Sequence, residues 1–152
     1  MEENKDIIKQ RKRVRAVIIE DNKILLMHRI KHNEEYWAFP GGGLEDYDIS
    51  PEEGLKRECF EELGVIVEVG GLFIEKISIA PHTINQIELF YKCNIIGGKV
   101  GTGTGPEFVR NVDEYGSYEV EWLPINIIED KNVWPCEVRD KVIMETHKSL
   151  QD

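Results

Sequence analysis

Between residues 41 and 65 the chain reads GGGLEDYDISPEEGLKRECFEELGV, and its second half leaves room for one local structure only. Ser50 suits a helix N-cap, Pro51 the first helical position, Glu53 completes a capping box and Gly64 closes the far end. These signals predict a helix from about Pro51 to Leu63. Within it Leu55, Cys59 and Leu63 recur every four residues and form a core stripe, while Glu58, Glu61 and Glu62 stand at i, i+3 and i+4 on an adjoining face. Such like-charge pairs cost about 0.2–0.5 kcal/mol each, and anions at a helix C-terminus cost a further ~0.3–1 kcal/mol. A divalent cation reverses the sign of that repulsion. Mg²⁺ takes oxygen ligands from one or two carboxylates, keeps waters and shares phosphate oxygens with a substrate. A local rule broken in this way points to a functional site.

The glycine turn ahead of the helix carries the reading further. Arg57-Glu58-Cys59-Phe60-Glu61-Glu62-Leu63-Gly64-Val65 resembles the second half of the Nudix box, Arg-Glu-apolar-x-Glu-Glu-x-Gly-apolar, at every position. The first half departs from the pattern. Counting from Gly42, the position of the family's glutamate holds Asp48, and eight residues rather than seven separate it from Arg57. In the family that glutamate braces the arginine, a role that falls here to Asp48 or Glu45. Gly54 stands where alanine is usual, at about 0.8–1 kcal/mol of helix propensity.

The resemblance implies that Glu58, Glu61, Glu62 and the carbonyl of Gly41 hold Mg²⁺, with Mn²⁺ as a substitute, and that Arg57 orients the acidic face. It also implies a further acid from a loop beyond the box, for which Glu114 and Glu119 are candidates. Glu58 is the first choice for taking the proton of the attacking water, with Glu114 and Glu119 as alternatives. Arg29, at the exit of a strand, offers a planar fork of donors to a phosphate, and Arg110 is a second substrate-binding candidate. Pro81 lies where Nudix enzymes acting on ADP-ribose often carry a proline.

The rest of the chain frames this stretch. Its 152 residues suit one domain, 1–152, with residues 1–12 as a polar lead-in whose basic cluster, Lys9, Arg11, Lys12 and Arg13, reads as a solvated arm. Val14–Glu20 and Lys23–Arg29 read as strands joined at Asp21-Asn22, and Tyr36–Pro40 as a short strand leading to the glycines. Val65–Val69 and Leu72–Ile79 read as strands broken by Gly70-Gly71, followed by one alternating from Ile87 to Cys93. Gly97–Gly105 has the length of a lid, Val120–Leu123 is a strand whose Trp122 belongs in the core, and a helix from Cys136 or Glu137 to about Leu150 closes the chain. Two helices around mixed strands make an α+β protein, an α/β/α sandwich with a mixed sheet, which is also the Nudix fold.

A formal net charge of −10 opposes polynucleotide binding, which depends on Lys and Arg neutralising phosphates. Cys59, Cys93 and Cys136 have neither disulfide nor metal-ligand spacing and read as core thiols of a reducing compartment. With no apolar run long enough to span a bilayer and no leader pattern, the expectation is a soluble cytoplasmic protein without a membrane partner. Members of the family often form homodimers. The function that follows is Mg²⁺-dependent hydrolysis of a phosphoanhydride in a nucleoside diphosphate linked to another moiety. ADP-ribose or a nucleotide sugar comes first and a modified nucleoside triphosphate second. The alternative is a noncatalytic Nudix-like nucleotide sensor. Base and sugar recognition would lie in Ile30–Tyr36, Pro81–Gln86 and Gly97–Ser117.

Overall fold

A computed structural model describes residues 11–79, 81–105 and 112–151. Strands β1 (Lys12–Glu20) and β2 (Lys23–Lys31) are joined by Asp21 and Asn22, both at positive φ as a two-residue hairpin turn requires. The two strands pair only at their turn end, Ile19 with Ile24 and Glu20 with Lys23. Beyond it they diverge, and each recruits other partners. β1 pairs in parallel with β6 (Ile87–Gly98) and antiparallel with β4 (Gly41–Gly43). β2 pairs antiparallel with β3 (Glu34–Ala38) and with β7 (Ser117–Pro124). β5 (Val65–Ile77) and the two-residue β8 (Val133–Trp134) complete a mixed sheet of order β5-β6-β1-β2-β3-β8.

The alternation of apolar residues along β1 and β2 sorts the core into two layers. Val14, Ala16, Ile18, Leu25 and Met27 face one side, where they meet Leu55, Cys59 and Leu63 of helix α1 (Pro51–Leu63). Val17, Ile24 and Leu26 face the other, against Val138 and Val142 of helix α3 (Cys136–Gln151). Each buried aliphatic side chain of this kind contributes roughly 1.5–3 kcal/mol. The α/β/α arrangement is therefore the packing solution that these two stripes dictate. The remaining helix, α2 (Val112–Tyr115), is a single turn. Among the described residues no helix is long and apolar enough to cross a membrane.

Several local expectations change. The lead-in ends sooner, since Lys12 and Arg13 already belong to β1, while Lys9 lies outside the described residues. The Ile30–Tyr36 segment is no loop: β2 and β3 run on to a two-residue turn at His32-Asn33, again both at positive φ. Gly70-Gly71 does not end a strand. It marks register shifts in a continuous β5, as glycine in a strand often does at a bulge. Cys59 and Cys93 are buried, but Cys136 is exposed.

The glycine-rich segment after β6 also differs from a lid. Its backbone donates to the carbonyls that α1 leaves unpaired: Lys99 N–H to Gly64, Gly101 N–H to Leu63 and Gly105 N–H to Glu61, at 3.2, 3.0 and 2.9 Å. It is a second cap on the turn that carries the acids. Gly103 packs so closely that a Cβ would stand 2.5 Å from the carbonyl oxygens of both Glu61 and Glu62. Gly103→Ala should therefore destabilise the protein by about 1–3 kcal/mol, as forced overpacking does. Urea unfolding that matches the parent would contradict this packing.

Candidate functional site

Helix α1 begins as its sequence requires, with the Ser50 hydroxyl accepting from Glu53 N–H at 3.1 Å. It ends on Gly64 at φ 79°, whose N–H donates to Phe60 O at 3.0 Å. The last two turns present their carboxylates to β4. Glu58 lies against Gly42, where a Cβ would come within 2.7 Å of its carboxylate, so only glycine lets it approach. Glu62, 8% exposed, accepts from Gly41 N–H at 3.3 Å. Gly41 itself, at φ 143°, has Val14 O 1.9 Å from the place a Cβ would take.

Arg57 organises the cluster. Its Nε and Nη2 donate to the two oxygens of Asp48 at 3.0 and 2.9 Å, and its Nη1 donates to Glu58 and Glu61, each at 3.2 Å. Nη2 also reaches Gly43 O at 3.4 Å. The like-charge crowding along the helix thus has a local counterweight that spacing alone did not reveal. Asp48, not Glu45, braces the arginine. Glu45 supports the turn instead, donating its N–H to Asp48 at 2.8 Å and accepting Asp48 N–H at 3.1 Å. The loop packs closely on Gly54, where a Cβ would stand 2.3 Å from Leu44 Cδ2 and 3.0 Å from Asp48 Oδ2.

The acids form one wall of a cleft of about 1160 Å³. The same cleft is also lined by Arg13 and Arg15 of β1 and Arg29 of β2. Arg13 and Arg15 are two apart on one strand and so share a face. The Arg13 Nε is buried and has no hydrogen-bond partner among the described residues. Burial foremost, and then neighbouring Arg15, lower its pKa to about 10 against the opposing pull of Glu88 and Glu58. Arg15 donates Nη1 to Phe39 O at 3.1 Å and pairs through Nε with Glu88 at 3.5 Å. Arg29 stacks on Tyr118, 3.6 Å from its ring centre, and donates to Ser117 O, Tyr115 O and the Tyr36 hydroxyl.

Of the residues singled out in the sequence, Gly41, Arg57, Glu58, Glu61, Glu62 and Arg29 all line this cleft. Glu114 and Glu119 are exposed and do not line it. Side chains alternate along β7, so Tyr118 faces the cleft and Glu119 the other way. Arg110 lies outside the described residues. The basic cluster is not a solvated arm where Arg13 is concerned. Arg13, Arg15 and Glu88 are the site residues that the sequence reading missed. The signal that was available is the Arg-x-Arg alternation leading into the apolar run Ala16–Ile19 of one strand.

A family model for the NUDIX domain matches residues 9–138. This chain belongs to the Nudix domain family. A MutT-like protein from Streptomyces ambofaciens is 36% identical over 84 residues, 55% of this Nudix chain and 50% of the relative, so the chain spans about half the length of that protein. Among solved structures, a UDP-X diphosphatase superposes with a TM-score of 0.63 at 21% identity, over 96% of this chain and 71% of its own. An ADP-ribose pyrophosphatase from Streptococcus suis 89-1591 does so with a TM-score of 0.61 at 18% identity, over 91% and 92%. At these identities the likeness is one of fold.

Among the described residues no three His, Cys, Asp or Glu side chains gather as ligands of one metal ion. The donor set of this Nudix site still fits Mg²⁺, which needs only one or two carboxylates and takes its remaining oxygens from water and phosphate. What is built in advance is the Arg57–Asp48 brace. The Arg57 hydrogen bonds hold the Asp48 carboxyl below the ordinary carboxylate range against the opposing effect of burial, and they raise Arg57 in turn. A lowered carboxylate contributes stability above its unfolded pKa and loses it as pH falls through its folded value. Asp48→Asn should thus cost about 2–3 kcal/mol at neutral pH, the worth of hydrogen bonds to a charged group. The gap to the parent should close on acidification as the parent's own Asp48 protonates. Urea unfolding across that pH range checks both, and a gap independent of pH would rule the linkage out.

Proposed function

We propose that this protein hydrolyses the phosphoanhydride of a nucleoside diphosphate linked to another moiety, in a reaction dependent on Mg²⁺. The observation that carries the reading is that one cleft is lined both by the Glu58, Glu61 and Glu62 carboxylates of α1 and by the arginines Arg13, Arg15 and Arg29 of the sheet. A diphosphate needs both kinds of group. Divalent metal bound at the carboxylates neutralises phosphate oxygens and lowers the pKa of water. The arginines contribute fixed positive charge in the same cleft, and Arg29, held by Tyr36, Tyr118 and the start of β7, loses little conformational freedom in doing so.

In this proposal Glu61 and Glu62 are the principal metal-holding carboxylates, with Glu58 beside them. Glu62 is buried and oriented by Gly41 N–H, whereas Glu61 is more open, its side chain 37% exposed. Glu58, fixed between Gly42 and Arg57, accepts the proton of the attacking water. The new bond joins that water oxygen to phosphorus. The bridging P–O bond breaks, and the leaving phosphoryl group departs with the bridging oxygen. Arg57 acts through position, since its donors are engaged by Asp48, Glu58, Glu61 and Gly43. The fold shared with a UDP-X diphosphatase and an ADP-ribose pyrophosphatase supports nucleotide-linked diphosphates as the first substrates to test.

Glu62→Gln, which keeps the volume and removes the charge, should reduce Mg²⁺-dependent turnover at least about a hundredfold while the circular dichroism spectrum stays that of the parent. Hydrolysis of ADP-ribose, UDP-glucose and nucleoside triphosphates is read by phosphate release, with binding followed in parallel by calorimetry. Undiminished turnover in the variant would overturn the assignment of Glu62. Saturable binding by the parent, with no product at any Mg²⁺ or Mn²⁺ concentration, would mean a sensor rather than an enzyme.

A further inference from the structure

Glu88 is an acid of the cleft that the sequence pattern did not mark. It is 8% exposed, it lines the cleft, and among the described residues its carboxylate pairs with Arg15 through a single 3.5 Å contact to Nε. An ionised carboxylate offers about four acceptor positions, so that contact leaves most of its capacity unspent. Its place in the sheet says what it can reach. Arg13 pairs with Gly43 of β4 on one side and with Glu88 of β6 on the other. Gly42, next to Gly43, is where the Glu58 carboxylate rests. The acids of α1, Arg13 and Glu88 therefore follow one another across three neighbouring strands, and two strand spacings, roughly 10 Å, separate Glu88 from β4 at the backbone. Beyond Glu88 the wall continues through Ser78 and Thr83, whose hydroxyls lie 2.6 Å apart.

We propose that Glu88 is a specificity-determining residue, accepting hydrogen bonds from hydroxyls of a sugar attached to the nucleoside diphosphate, while Arg13 takes a phosphate oxygen beside it. This rests on the reading of the site given above. Arg13 is suited to its part because it lines the cleft and its buried Nε lacks a partner among the described residues, so its guanidinium keeps donor capacity that an anion seated beside it can draw on. Glu88 is suited to the neighbouring position because it favours donors and repels a further phosphate. The subsite thus selects a neutral polyhydroxyl group over the terminal phosphate of a nucleoside triphosphate. If Glu88 were only a counter-ion for Arg13 and Arg15, its removal would weaken all diphosphate ligands alike.

The experiment compares ADP-ribose with ADP, and UDP-glucose with UDP, by calorimetry on the full chain with Ca²⁺ present, for the parent and for Glu88→Gln. The parent should bind the sugar-linked member of at least one pair roughly 10- to 100-fold more tightly than the bare diphosphate, the worth of one hydrogen bond to a charged acceptor. In Glu88→Gln the two members of that pair should bind within about twofold of each other. The proposal is overturned if the preference survives in the variant, if both members weaken equally, or if the parent has no preference in either pair. Glu88→Asp, which keeps the charge one methylene further back, should retain part of the preference and serves if Glu88→Gln fails to fold. Hydrolysis with Mg²⁺ is followed separately. A preference without turnover refutes the hydrolase reading and leaves Glu88 in its role, whereas turnover with a preference indifferent to Glu88 refutes this proposal alone.

Discussion

The guanidinium of Arg57 is the group on which the acidic site depends. Without it, three glutamates at i, i+3 and i+4 on the closing turns of a helix repel one another and the helix dipole. With it, Glu58 and Glu61 share Nη1, and the arginine's other edge is anchored on Asp48, whose side chain is 5% exposed. Such a pair is only as useful as its rigidity. Asp48 is fixed by Glu45 N–H, and Gly54 leaves room for the loop that carries it. With aspartate at this position and one added residue, the loop still delivers a bidentate bond to Arg57.

A second layer of support comes from elements distant in sequence. The segment 99–105 donates three N–H groups to the carbonyls at the end of α1. β4 supplies the surface on which Glu58 and Glu62 rest, and it exists as a strand because β1 pairs with it. β1 is thus shared by the whole site. One of its neighbours carries the glycines, the other carries Glu88, and its own alternation directs Arg13 and Arg15 into the cleft. The protein has a net charge of −10, yet it places cations where a phosphorylated ligand would enter. Local geometry, not overall charge, sets the field there.

Features written in nearest-neighbour chemistry were legible in advance. Ser50, Pro51 and Gly64 delimit α1 because caps act within a turn of the backbone, and the Leu55-Cys59-Leu63 stripe names its buried face. The hairpin at Asp21-Asn22 follows from residues that tolerate positive φ. Features that depend on pairing between remote segments were read less well. Gly70-Gly71 reads as a break until β6 holds β5 together across a bulge, and the glycines after β6 read as a free loop until the end of α1 offers them carbonyls. Glu119 reads as a candidate acid until pairing with β2 fixes its register and sends it outward.

By itself, then, the sequence determined the acidic helix, the strand alternation, the two helices on opposite faces of a mixed sheet and the family to which they belong. Each of these is encoded in intervals of two, three or four residues. Only the tertiary structure decided that Asp48 rather than Glu45 holds Arg57. Likewise it brought Arg13, Arg15 and Glu88 into one cleft with the acids of α1. Arg13 and Glu88 are 75 positions apart and become neighbours through the parallel register of β1 with β6, a pairing no short interval can carry.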